Sequence, residues 1–69
     1  MFDEIAFREL VKSRGVKLKA VAEAMGIRPS TLYRKMKGQL DFTRNEIQLC
    51  CDFFNLDEMN SIFFAKKVS

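Results

Sequence analysis

Histidine is absent from this 69-residue chain, and cysteine occurs only as the adjacent pair Cys50 and Cys51. Without an imidazole or a second pair of thiols, a zinc site lacks ligands. No nucleophile–base pair stands out, and no Gly-rich phosphate loop follows a strand. Asp3, Glu4, Asp57 and Glu58 read as helix-start residues rather than an acid–base set. The chain is therefore expected not to be an enzyme, with no cofactor, metal or small-molecule ligand. Side chains one residue apart on a helix diverge by ~100°, so a Cys50–Cys51 disulfide is unfavourable. Both read as small apolar residues, at least one of them buried.

Other absences narrow the class further. Proline occurs once and glycine three times, and no Gly/Ser or Pro tract marks a linker, so residues 1–69 read as one small domain. Apolar residues make up 48% of the chain, which favours globular order over disorder. No apolar run approaches the ~20 residues that span a bilayer. The start Met-Phe-Asp-Glu is unlike a basic signal peptide, so a cytoplasmic protein without membrane contact is expected. Strand signals are missing as well.

What is present is charge in one place. The net charge is only +3, but residues 8–39 carry nine Lys/Arg against Glu9 and Glu23, or +7, while residues 1–7 and 40–69 each come to −2. Arg28, Arg34, Lys35 and Lys37 follow one another with no acid between Glu23 and Asp41. Surface lysines usually mean a solvated face and nothing more. A run this one-sided points to a polyanion.

The centre of the chain, residues 17–37, reads as two short helices joined by a tight turn. Val21, Ala22 and Met25 share one face of the first helix. Gly26 stands just past its end, where a left-handed backbone is easiest without a Cβ. Pro29 suits the first position of the next helix, where its missing N–H costs nothing. Leu32 and Met36 give that helix an inward stripe, and Ala22 is small where the two helices cross. This is the pattern of a helix-turn-helix.

Around it, the spacing predicts helices over 3–13, 17–25, 29–37, 43–54 and 57–65. Asp3 is the candidate N-cap of the first, whose inward stripe is Phe7, Leu10 and Val11. The second has no obvious cap. Thr43 and Glu46 have capping-box spacing for the fourth, with Ile47, Cys50, Cys51 and Phe54 on one face. Asp57 is a candidate cap for the fifth. The fold class is all-α, five short helices in a compact bundle. The neighbours Phe53 and Phe54, and again Phe63 and Phe64, cannot both face one core. At least one ring of each pair is expected outside, and these four residues form the candidate homodimer interface.

The residues Val21-Ala22-Glu23-Ala24-Met25-Gly26-Ile27, then Ser30-Thr31-Leu32-Tyr33-Arg34, then Gly38, resemble the lambda-repressor-like, Cro/repressor-type helix-turn-helix family of phage and bacterial regulators. Phe7, Leu10 and Gly15 fit that family's first helix, and Ile47 with Leu49 its fourth; the resemblance runs over residues 5–56. It implies a compact lambda-repressor-like DNA-binding domain whose helix 29–37 lies in the DNA major groove. Carried over by position, Ser30, Thr31 and Arg34 become the base-reading candidates, with Arg28 at the rim. An Arg there can bind guanine O6/N7 bidentately, worth ~1–3 kcal/mol of discrimination. Lys35, Lys37, Gln39 and Arg44 become phosphate contacts, and Tyr33 a phosphate or backbone contact.

Three departures carry information. Many members begin the motif with a capping Thr or Ser and a phosphate-binding Gln; Lys17 and Leu18 stand there. Lys17 or Lys19 then supplies phosphate contact as a point charge. Lys35 stands where the family commonly has an apolar residue, and Met36 is expected to take over the packing and leave Lys35 facing DNA. Members often pair an Arg on the first helix with a Glu near the end of the third; Val11 and Met36 hold those places. Both have become apolar together, so they are expected to meet in the core.

The function implied is a sequence-specific transcriptional regulator of prophage or Cro type in a bacterial cytoplasm, a homodimer on a palindromic operator. If the chain is whole, it lacks the separate oligomerisation domain of larger repressors. The competing class is a protein-interaction module, an antirepressor or adaptor on the same fold, which the Phe-rich tail would suit. Against it, the outer face of helix 29–37 offers no apolar anchor but Tyr33, whereas a groove-binding helix repeats them.

Overall fold

The computed structural model describes residues 2–56 and 60–63, with no strand among them. Four helices carry the domain: α1 (Glu4–Ser13), α2 (Leu18–Met25), α3 (Pro29–Met36) and α4 (Arg44–Phe54). The fifth helix expected over 57–65 is represented among the described residues by one turn, Asn60–Phe63; Asp57, its expected cap, lies outside them.

Local chemistry accounts for each boundary. The Asp3 carboxylate accepts the Ala6 amide at 3.0 Å and starts α1. α2 starts at Lys17, whose side chain makes no capping bond. It ends at Gly26, φ 74°, where the Ile27 amide returns to the Ala22 carbonyl at 3.0 Å. Pro29 opens α3, which closes with Lys37 as its C-cap. At α4 the capping box is complete: Thr43 Oγ1 accepts the Glu46 amide at 3.1 Å, and Glu46 Oε1 accepts the Thr43 amide at 2.9 Å.

α2 is the central element, packing on both α3 and α4. The core is Phe7 and Val11 from α1, Val21, Ala22 and Met25 from α2, Leu32 and Met36 from α3, Cys50, Cys51 and Phe54 from α4, and Phe63. Val11 and Met36 both lie in this buried cluster, on the side of the α1 and α3 helices where the family often holds charge. Each large side chain so buried contributes ~1.5–3 kcal/mol.

Phenylalanine closes the bundle where the start of α1 meets the last described turn. The ring of Phe2 lies 5.3 Å from Phe7, 4.8 Å from Phe42 and 5.2 Å from Phe63. The Asp3 amide donates to the Ile62 carbonyl at 2.6 Å, tying the start of α1 to the last described turn. Two of the four interface candidates are thereby corrected. Phe54 and Phe63 are core residues, 3% and 5% exposed, because the small bundle uses their rings to fill its interior. Phe54 sits edge-on to Phe7, and Phe63 edge-on to Phe42. Phe53 remains outside at 39% exposure, as expected for one member of that pair. Phe64 lies outside the described residues.

Candidate nucleic-acid interface

Helical geometry assigns the faces of α3. Leu32 and Met36 are buried, so the residues turned half a revolution away point outward. Those are Ser30, Arg34 and the capping Lys37, all exposed, and Tyr33 on the flank toward α1 is exposed as well. Arg28 before the helix is exposed too, and Thr31, on the flank, is half-buried. No acidic residue lies between Glu23 and Asp41, so α3 itself gives this face only neutral or positive groups. Lys17 and Lys19 at the start of α2, and Gln39 and Arg44 around the α3–α4 loop, are exposed as expected of phosphate contacts.

Lys35 is the exception, and its expected role is corrected. Its side chain runs inward and is 8% exposed. The ammonium donates to the Asp41 carbonyl at 2.8 Å and to Glu46 Oε1 at 2.7 Å, and it stands 6.0 Å from the centre of the Phe42 ring. Met36 does take the inward packing, but Lys35 is turned to the other flank of α3, where the 38–43 loop closes over it. An ammonium enclosed there needs acceptors, and Glu46, already fixed as the capping-box partner, supplies one. Burial pushes the Glu46 carboxyl up, but the bonds from Lys35 and the Thr43 amide outweigh it and leave it below the ordinary carboxylate range.

A second cluster joins α1 to α3 at the surface. Glu4 Oε2 accepts from Arg8 Nε at 2.9 Å and from Lys37 Nζ at 3.0 Å. The Arg8 guanidinium stands 5.9 Å from the centre of the Tyr33 ring. The Arg8 and Lys37 bonds hold the Glu4 carboxyl below its usual range. An acid on α1 and a base at the end of α3 are thus paired at the surface. Sequence reasoning missed Arg8. The i, i+4 spacing of Glu4 and Arg8 was a visible cue, whereas nothing local brings Lys37 to them. The thiols offer no chemistry: both are buried, and burial with the neighbouring Cys51 pushes Cys50 up to about 12.

A scan of protein families matches residues 5–60 to a helix-turn-helix domain. The chain belongs to that family. Its group is the lambda-repressor-like one, and the helix-turn-helix itself is α2, the Gly26 turn and α3. Searches of curated proteins and of solved structures return no match. The second helix of the motif is α3, with Ser30 and Arg34 on its outer face. No helix among the described residues is long and apolar enough to cross a membrane.

Proposed function

We propose that the chain is a sequence-specific double-stranded-DNA-binding transcriptional regulator, a Cro- or repressor-like protein of phage or prophage type acting by operator occupancy. The observation that carries this reading is the division of α3. Leu32 and Met36 anchor it in the core, while Ser30, Arg34 and Lys37 form an exposed polar and basic stripe. Arg34 reads guanine, Ser30 and Thr31 meet neighbouring base edges, and Arg28 works at the rim. Lys17, Lys19, Tyr33, Lys37, Gln39 and Arg44 hold phosphates, with Lys35 now excluded. A homodimer sets two α3 helices in successive major grooves ~34 Å apart on a palindromic operator. No catalytic step is involved.

The alternative, an adaptor that binds protein through an aromatic tail, loses support with Phe54 and Phe63 in the core. Phe53 is the one exposed ring of the four among the described residues. Fluorescence anisotropy on labelled duplexes tiled across the DNA flanking the gene tests the proposal, at two salt concentrations with excess random competitor. The expected result is competitor-resistant binding to one short palindromic segment, lost in Arg34→Ala. Equal, salt-sensitive binding to every segment would reduce the function to non-specific affinity. No binding at low salt would overturn it.

A further inference from the structure

We propose that Arg8 on α1 is a DNA-backbone contact that continues the α3 surface, and that Glu4 acts as a built-in competitor which holds Arg8 and Lys37 away from phosphate. The inference rests on the DNA-binding reading and adds to it a contact on a different helix. Three observations converge. Tyr33 lies on the flank of the exposed α3 face that turns toward α1, and the Arg8 guanidinium stands 5.9 Å from its ring centre. Lys37, at the C-terminal end of the same face, reaches Glu4 at 3.0 Å. Glu4 joins the two cations through one carboxylate: Oε2 takes both Lys37 and, at 2.9 Å, Arg8, and Oε1 takes Lys37 again at 3.4 Å. The four side chains therefore form one continuous strip across α1 and α3.

The strip is arranged to trade partners. Arg8 and Lys37 remain 43% and 54% exposed while paired, so each keeps donors open to solvent. Ion pairs this open are weak, with a median near zero to ~1 kcal/mol. A phosphate brought to the α3 face meets two cations whose existing partner is one shared carboxylate. Arg supplies several donors in a fixed fork and can keep one on Glu4 while another turns to a phosphate. Lys37 has three donors with the same freedom. Glu4 is then a negative group at the edge of the DNA face, and it lowers affinity for every sequence alike.

Anisotropy of the full chain on a labelled random-sequence duplex, across a salt series from about 50 to about 200 mM, decides the matter. Wild type is compared with Glu4→Gln, with Glu4→Gln/Arg8→Ala and with Glu4→Gln/Arg8→Lys. Removing the competitor is expected to tighten binding about threefold or more, and removing Arg8 in that background to loosen it by a similar factor. The slope of log affinity against log salt is expected to fall by about 1 on loss of Arg8, the signature of one phosphate contact, and to be kept by Lys. Weaker binding with an unchanged slope would overturn the proposal, since that marks lost packing on Tyr33. Unchanged affinity in both Arg8 variants would overturn it as well. Wild type that binds no duplex at low salt would overturn this proposal together with the DNA reading, whereas binding by wild type with inert variants would overturn this one alone.

Discussion

Lys35 shows how a single residue can carry charge for structure rather than for recognition. Its ammonium holds the Asp41 carbonyl and Glu46, and Glu46 in turn holds the Thr43 amide, so one α3 side chain organises the loop leading into α4. Breaking such a pair from one side strands a buried charge and costs ~3–5 kcal/mol. Glu46→Ala is expected to lose about that much in urea denaturation. The double variant Lys35→Met/Glu46→Gln keeps the Thr43 cap, removes both charges, and is expected to stay within ~1 kcal/mol of wild type. The pH dependence follows from the same contacts. Glu46 titrates below its ordinary 4.5 in the folded chain, so its contribution is whole above that value and is lost as pH falls through the lowered one. Thermal melts are expected to show wild type declining more steeply than Glu46→Gln on acidification below pH 4.5. The inward turn of Lys35 was not legible because its partners are six and eleven residues away. Met36 was expected to take over the packing and leave Lys35 facing DNA; only the first half holds, since both side chains are buried.

At the scale of elements, helix ends were the most legible part of the chain. Asp3, Gly26, Pro29 and the Thr43/Glu46 box act where their chemistry requires, because a cap satisfies amides within three residues of itself. Gly26 is required by its backbone rather than by crowding: φ is +74° and a Cβ would meet nothing within 4 Å. Gly26→Ala is therefore expected to cost ~1–2 kcal/mol of stability, read from the denaturation midpoint. α2 and α3 both start without a side-chain cap; α3 has Pro29 in its first turn, whereas α2 has neither. Lys17→Ser would accept a free amide there and is expected to stabilise by ~0.5–1 kcal/mol, raising Tm by about 4 °C in a domain of this size. The same change removes a cation from the proposed DNA surface. A higher Tm together with weaker low-salt DNA binding in Lys17→Ser is the expected outcome, checked by calorimetry and anisotropy. Tm without loss of binding would show that Lys17 meets no phosphate.

For the molecule as a whole, the aromatic cluster is what makes so short a chain close on itself. Phe63 brings the last described turn against Phe2, Phe7 and Phe42, with ring centres 4.9–6.2 Å apart. Truncating a buried Phe costs ~3–5 kcal/mol, and domains of this kind hold only ~5–15 kcal/mol in total. Phe63→Ala is expected to lose most of the stability, seen as a large fall in the urea midpoint. Phe53→Ala, on an exposed ring, is expected to change it little and to weaken self-association in sedimentation if the proposed dimer uses that face. The assignment of Phe54 and Phe63 to an interface overlooked that the bundle fills its interior with large rings, Phe54 against Phe7 and Phe63 against Phe2 and Phe42. Adjacent rings point in different directions, but a small bundle wraps its core widely enough to take one ring from each.

What the sequence determined by itself was local in origin: helix ends, the turn at Gly26, the inward stripes of Phe7, Val21 and Leu32, and the basic stretch before Asp41. These depend on spacings of a few residues, which the chain order specifies directly. Only the tertiary structure decided which charges are available. It enclosed Lys35 beneath a loop, set Glu4 between Arg8 and Lys37, and turned Phe54 and Phe63 inward. Each of those outcomes depends on groups brought together from distant parts of the chain. Desolvation and Coulomb terms between such groups vary with separations of an ångström or two, which no residue pattern encodes.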